Sequence, residues 1–433
     1  MERRTFLQGL GMAGLGFTAF RSALAQGAIA PLGATGRVVV VGGGMGGTTV
    51  AKFLRLWGGT GLDVTLVEPN ATYYSNIFSN MVLTGERSLS QLGFSYTALT
   101  SKYGVKVMAA SVIAIDPVGR NVALSNGTTL PYDRLVLSPG IDFEPLPISG
   151  SATNQAKVVH AWKAGAQTTS LKAQIQSMTK ADTFILTIPP KPYRCPPGPY
   201  ERACVVADYL KRVKGGGRVV ILDANNGIQA EVQNFTKAFT VTHKNVITYV
   251  PNAVVTAIDA DTMTVNTASA GCFKGKVINA IPTHKAGGLI TGSGIGLANA
   301  PGPNNAPNKF AGVDVLTYES TAVPFVHILG DASATTQPKA GHIANAEAKV
   351  CADAIIQLMS GGTVNPAPMT NSSCFTPITR TTASWLSVVY RYDALSRTMV
   401  PTGSGVTESL DATSENYEDM LKWFTNLMSD TFK

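Results

Sequence analysis

Short unbroken apolar runs, each closed by glycine, proline or an acid, alternate along the chain with longer segments of helical period. Residues 37–41 read RVVVV, 134–137 RLVL, 183–188 TFILTI, 218–223 RVVILD and 325–329 FVHIL. Runs of this kind are strands buried on both faces, as parallel sheets require. Segments 164–178, 200–213 and 343–359 carry the helical pattern between them. The alternation predicts an α/β fold of two Rossmann-like dinucleotide-binding-type domains plus a small C-terminal domain. The first domain is divided, 36–150 and 285–365, and the second, 151–284, is inserted into it. Residues 287–309, rich in Gly, Asn and Pro, read as an irregular excursion. From 366 the chain turns polar, aromatic and proline-punctuated, which marks the C-terminal interface domain at 366–433.

The first strand runs directly into GGGMGG, with Gly42, Gly44 and Gly47 at the G-x-G-x-x-G spacing. The first glycine permits a tight turn, the second a close approach to a diphosphate, and the third helix-on-strand packing. The diphosphate rests on a helix N-terminus, where free N–H groups favour anions. Glu68 ends the second strand, 21 residues past Gly47, where an acid binds ribose hydroxyls. Near the end of the same unit, Ser138-Pro139-Gly140 forms a loop that returns toward the dinucleotide. Gly330-Asp331 follows another strand and precedes a helix, a position from which an acid reaches a ribityl chain. The strand at 218–223 should lead into a nicotinamide loop but is followed by ANNGI. The fold repeats without its fingerprint, which argues against bound NAD(P)H.

Hydrophobic residues make up 45% and charged residues 14%, so the chain is globular and not disordered. Arg3-Arg4-Thr5-Phe6-Leu7, a weakly apolar run and Ala23-Leu24-Ala25 form a twin-arginine export signal over residues 1–25. The mature protein is therefore expected to be soluble, periplasmic and without an integral membrane segment. The formal charge of +8 falls to about +6 beyond residue 25 and is scattered, which excludes a nucleic-acid groove. Five cysteines (Cys195, Cys204, Cys272, Cys351, Cys374) allow at most two disulfides. No C-x-x-C-H and no metal-type cluster occurs, so no haem is attached here and no metal site is expected. Cys195 sits in a proline-stiffened loop, whereas Cys204 and Cys351 lie in apolar helices and read as core thiols.

RCPPGPYER at 194–202, HAWKAG at 160–165, HILGDA at 327–332 and SCF at 373–375 carry a resemblance. The chain resembles the flavoprotein subunit of flavocytochrome c sulfide dehydrogenase, related to sulfide:quinone oxidoreductases among the disulfide-reductase-like flavoproteins, whose fold is glutathione-reductase-like. The resemblance implies FAD on Gly42, Gly44, Gly47 and Glu68, with Asp331 on the ribityl chain and the helix beginning near Gly341 aimed at the flavin ring. It implies that Cys195 and Cys374 form a redox disulfide beside the ring, and that electrons from sulfide pass to a c-type cytochrome subunit carrying the haem. Glu201, at the start of a helix, is placed to act as base for the incoming sulfide. Some relatives tether the flavin through a cysteine in a Tyr-Tyr-x-Cys setting; here the sequence is Tyr73-Tyr74-Ser75-Asn76. With an amide at Asn76, FAD is expected to be non-covalent. Two other readings stay open on the sequence: a sulfide:quinone oxidoreductase, which needs a membrane-entering surface, and a non-enzymatic FAD-binding scaffold.

Overall fold

The computed structural model describes residues 33–302, 307–403 and 405–433. The export signal at 1–25 lies outside these residues. In chain order the elements that build the site are β1 (Gly36–Val41), α1 (Met45–Gly58), β2 (Leu62–Val67), α2 (Ser79–Thr84), β3 (Lys106–Met108) and β4 (Arg134–Leu137). The inserted region supplies β5 (Thr183–Ile188), α3 (Gly198–Tyr209), β6 (Arg218–Asp223), β7 (Ile247–Val250) and β8 (Val277–Ala280). Then follow β9 (Val313–Asp314), β10 (Glu319–Ser320), β11 (Val326–Ile328) and α4 (Gly341–Ser360). The C-terminal part holds β12 (Met369–Pro377), β13 (Ala383–Asp393), β14 (Thr398–Pro401) and α5 (Ser414–Phe432).

Seven strands form the first sheet in the order β9-β10-β11-β4-β1-β2-β3. Its centre is parallel, with Val38 level with Val64 and Arg134, and Val326 level with Leu135. The second sheet, β7-β6-β5-β8, is parallel throughout. Both faces of β1 are buried, which explains its unbroken valines. Val38 and Val40 pack toward α1, α4 and α5 with Leu54, Ile355 and Phe432. Val39 and Val41 join a cluster that continues through Phe184, Leu186 and Tyr200 into the inserted region. The two sheets therefore share one core, and the site lies where they meet.

The buried runs become strands close to where the pattern places them, and differences are confined to ends. The helix expected at 164–178 spans Ala166–Gln176. The one expected at 200–213 starts at Gly198 and gives way after Tyr209 to a wider turn. The excursion at 287–309 contains a short helix, Gly288–Thr291. In the C-terminal part, β12-β13-β14 form an antiparallel sheet. Helix α5 is capped by Thr413 Oγ1, which accepts from Asn416 N at 3.1 Å. It buries Met420, Phe424, Leu427, Met428 and Phe432 against the first domain. Its apolar face is thus used in packing. No helix among the described residues is long and apolar enough to cross a membrane.

Candidate active site

A cavity of about 970 Å³ runs between the two sheets and reaches the C-terminal sheet. Gly42, Gly44, Glu68, Asn76, Gly140, Gly330, Asp331, Gly341, Cys195, Glu201 and Cys374 all line it. Gly47 stands off its wall. The turn from β1 into α1 explains why. Gly42 has φ 99°, and a Cβ there would lie 2.4 Å from Ser138 O. At Gly47 a Cβ would lie 1.9 Å from Gly42 O, so helix and loop touch backbone to backbone. Gly43 is clamped by Tyr96 Oη, which donates to its carbonyl at 3.0 Å, and by Thr48 Oγ1 at 2.9 Å. Glu68 accepts from Gly43 N at 2.8 Å and from Asn70 N at 2.9 Å, which holds its carboxylate at the loop.

At the other end Asp331 follows β11. Its Oδ1 is buried with no hydrogen-bond partner among the described residues. Burial raises its carboxyl above the ordinary range, with Arg194 and Lys339 opposing. An orphaned acceptor facing a cavity is a place for a hydroxyl-bearing ligand. Glu347 lies beneath it, Oε2 accepting from Gly330 N at 2.7 Å, and burial pushes this carboxyl up to about 8. Helix α4 opens at Gly341 on the cavity wall, so its free first-turn N–H groups and positive dipole end face the same space. Asn76 accepts from Ala164 N at 2.8 Å, which ties the Tyr-Tyr-Ser-Asn segment to the inserted region. Together these residues fit FAD: the α1 N-terminus would take its diphosphate, Glu68 its ribose and Asp331 its ribityl hydroxyls.

Cys195 and Cys374 come from distant parts of the chain to the same cavity. Both are free thiols in this structure, where the resemblance implied an oxidised pair. Cys195 sits at φ 60°, a left-handed conformation costly for a side-chain-bearing residue. Its N–H donates to Lys339 O at 2.7 Å, and its carbonyl accepts from Gly198 N at 2.9 Å. Burial pushes its thiol up to about 12, with the negative charge of Glu201 adding. Burial also raises the Cys374 thiol, and a charge on Cys195 would raise it further. Burial pushes the Glu201 carboxyl up to about 8 against an opposing hydrogen bond from Asn80. Cys204 and Cys351 are fully buried core residues, and Cys272 is exposed away from the site.

Asn80, the burial of Arg202, Glu231 and the Asp223 cluster were not legible in the sequence. Asn80, on α2, donates to Glu201 Oε1 at 2.9 Å. Arg202 is buried, with its charge over the Trp162 ring at 4.6 Å. Glu231, buried and pushed up to about 7, accepts from Thr376 Oγ1 at 2.6 Å and from Ser384 Oγ, which ties the inserted region to the strand bearing Cys374. Trp423 lines the cavity with its ring 5.6 Å from Phe375, whereas Phe424 packs on Phe78 at 4.3 Å. At the carboxyl end of β6, Asp223 is fully buried and accepts from Tyr200 Oη at 2.7 Å and Tyr249 Oη at 2.9 Å. Phe235 and Phe239 pack beside Tyr200. Polar and aromatic side chains thus pack together at the carboxyl end of β6, the strand end beside which this fold otherwise takes a nucleotide. No group of metal-binding residues occurs among the described residues.

Three family models match the chain. Pyridine nucleotide-disulphide oxidoreductase covers residues 36–179, the central region of the sulfide dehydrogenase [flavocytochrome c] flavoprotein chain covers 168–282, and the flavin-binding region of flavocytochrome c sulphide dehydrogenase covers 366–432. The sulfide dehydrogenase [flavocytochrome c] flavoprotein chain of Chlorobaculum thiosulfatiphilum is 52% identical over 48 residues, 11% of this chain and 98% of that sequence. The chain belongs to the flavocytochrome c sulfide dehydrogenase flavoprotein family. FAD is the cofactor of this family, in agreement with the residues on the cavity wall. Other relatives match shorter parts of the chain. Ferroptosis suppressor protein 1 of Taeniopygia guttata is 33% identical over 109 residues, 24% of this chain and 27% of that protein. Putidaredoxin reductase CamA of Pseudomonas putida is 30% identical over 128 residues, 29% of this chain and 30% of that protein. The chain thus spans less than a third of either relative. Among solved structures, the sulfide:quinone oxidoreductase of Aquifex aeolicus aligns with a TM-score of 0.72 at 17% identity, over 92% of this chain and 91% of that one. The covalent putidaredoxin reductase–putidaredoxin complex aligns at 0.61 and 17% identity, over 82% and 81%. Both show the shared fold.

Proposed function

We propose that this chain is a periplasmic FAD-dependent sulfide dehydrogenase subunit that oxidises sulfide through Cys195 and Cys374 and passes electrons to a c-type cytochrome subunit. The observation that carries the reading is the convergence of two sequence-distant cysteines and a buried acid on one wall of the flavin cavity. In the oxidised enzyme the two sulfurs form a disulfide. Hydrosulfide attacks one sulfur, the S–S bond breaks, and a persulfide and a thiolate result. A second hydrosulfide attacks the outer sulfur of the persulfide, the bond from that sulfur to the cysteine breaks, and the product leaves as a two-sulfur polysulfide anion with the dithiol behind. Buried thiols with raised pKa values favour the protonated form, so a nearby proton carrier is needed. Glu201, poised near neutrality, gives a proton to the departing thiolate and takes it back when the dithiol is reoxidised. Bound FAD supplies a two-electron acceptor that can release electrons singly.

The missing glycine loop after β6, with Asp223 already engaged by Tyr200 and Tyr249, supports a route that does not use nicotinamide. Burial of the α5 apolar face removes the amphipathic surface that a quinone-dependent enzyme would press into a membrane. An anaerobic titration tests the reading. Sulfide should bleach the flavin, NADH should not, and the reduced protein should be reoxidised by cytochrome c. Cys195→Ser and Cys374→Ser should each keep FAD and abolish bleaching. Normal bleaching in either variant overturns the disulfide route.

A further inference from the structure

The contacts around Asn80 force its side-chain amide into one orientation. Arg202 Nε lies 2.8 Å from Asn80 Oδ1, and a guanidinium only donates. Asn80 Nδ2 lies 3.1 Å from the carbonyl oxygen of Gly198, which only accepts. Both neighbours therefore direct Nδ2, and not Oδ1, at Glu201 Oε1, 2.9 Å away. Arg202 cannot turn to release it. Its Nη1 donates to His160 O and Asn279 Oδ1, and its Nη2 donates to Ala161 O, each at 2.8 Å.

We propose that Asn80 is a positioning residue for Glu201: a donor locked by Arg202 that holds Oε1 and leaves Oε2 as the oxygen that exchanges a proton with the cavity. The proposal rests on the role given to Glu201 above. Glu201 lines the cavity, and Oε2 has no hydrogen-bond partner among the described residues. Asn80 comes from α2 in the first domain, whereas Glu201 and Arg202 come from α3 in the inserted one. The proton-carrying group is therefore set only when the two domains are docked. The other groups that face Glu201 are Arg202 and Cys204 on its own helix, Cys195 before it, and Glu231 and Cys374 from beyond it. Glu231 and Arg202 act in opposite senses, which leaves the amide donor as the leading influence against desolvation.

The test uses the FAD-loaded protein and two variants. Asn80→Leu removes the donor. Asn80→Asp keeps the acceptor that Arg202 uses, loses the donor to Gly198 O, and turns an acceptor toward Glu201; retained FAD binding by each variant shows that the fold is kept. The carboxyl band of Glu201 is followed by infrared titration and assigned by its loss in Glu201→Gln. In parallel, the rate of flavin bleaching by sulfide is measured across pH. Losing a hydrogen bond to the ionised form should move the infrared midpoint up by about one unit in Asn80→Leu, and further in Asn80→Asp. The alkaline limb of the rate profile, where Glu201 has lost the proton it donates, should move with it. Sulfide's own ionisation gives a limb common to all proteins. A rate lowered by one factor at every pH, with the infrared midpoint unmoved, would mean a merely structural role and overturns the proposal. If sulfide does not bleach the wild-type flavin, the functional reading fails, while the infrared midpoint still decides the role of Asn80.

Discussion

Gly44 and Gly47 belong to one motif, yet the structure separates their duties, and two alanine substitutions should expose the difference. At Gly47 a Cβ would stand 1.9 Å from Gly42 O, whereas carbon contacts settle at about 3.5 Å. Backbone meets backbone, so no rotamer can yield, and α1 must shift off the loop. Overpacking of this kind costs about 1–3 kcal/mol and sometimes more. Gly47→Ala should therefore lower the urea midpoint of the apoprotein as well as its flavin affinity. Gly44 is the opposite case. Its φ of −78° suits any residue, and its nearest neighbour would be Tyr73 Cε2 at 3.9 Å. Gly44→Ala should leave the apoprotein as stable as wild type, or firmer by up to about 1 kcal/mol through a less flexible unfolded chain. The new methyl would meet only the ligand. With FAD at 100 times Kd, binding adds about 2.7 kcal/mol to wild-type stability; a 100-fold loss of affinity would cut this to about 0.4 kcal/mol. Urea unfolding with and without FAD measures both quantities. Unchanged FAD stabilisation in Gly44→Ala would refute the placement of the diphosphate, and wild-type apoprotein stability in Gly47→Ala would refute the tight helix–loop contact.

Other outcomes follow from the same structure. Phe432, 2% exposed and stacked on Tyr73 at 5.1 Å and Phe94 at 5.2 Å, should cost about 3–5 kcal/mol when replaced by alanine; a loss below about 1 kcal/mol in urea unfolding would mean that α5 is not anchored there. Burial holds Glu347 at about 8 in the folded protein against 4.5 for the free group, so the native state keeps a proton that the unfolded chain has lost. Its contribution is intact below pH 4.5 and disappears as pH rises through about 8, so Glu347→Gln should gain on wild type over that window; a pH-independent difference would contradict it. Acid precipitation should leave the flavin in the supernatant, because Asn76 offers an amide and no thiol; a yellow pellet would show a tether.

The elements were legible because their signals are local. The valines of β1, the glycines after it and the acid ending β2 are each dictated by close neighbours, and so is the missing loop after β6. Cofactor positions at Asp331 and Gly341 could be read because a strand end and a helix start fix where their groups point. Asn80 gave no such signal. It is one asparagine among many until α2 docks against α3, and only the geometry of Arg202 gives it a meaning. Arg202 itself stood within the quoted RCPPGPYER segment, but whether an arginine is buried depends on Trp162, Asn279 and backbone carbonyls contributed from elsewhere. The segment of helix α5 read only as part of a polar, aromatic C-terminal interface domain. Glu415, Glu418 and Asp419 face solvent, Asp430 pairs with Lys349 at 2.8 Å, and the Met, Leu and Phe residues complete the core under α1, which depends on what the rest of the fold leaves uncovered.

The pairing of β11 with β4 sets Val326 beside Leu135, with the whole inserted region made in between. On the ribosome, the nascent chain must carry β1, β2 and β4 as an unfinished sheet while β5 to β8 are synthesised and close on themselves. Such non-local pairing is slow and leaves strand edges open to wrong partners. The inserted unit can mature early, whereas the flavin cradle is finished only when β11 and α4 arrive. A chain released before that point would have its glycine loop but neither Asp331 nor the second helix end, and so only half a grip on its cofactor.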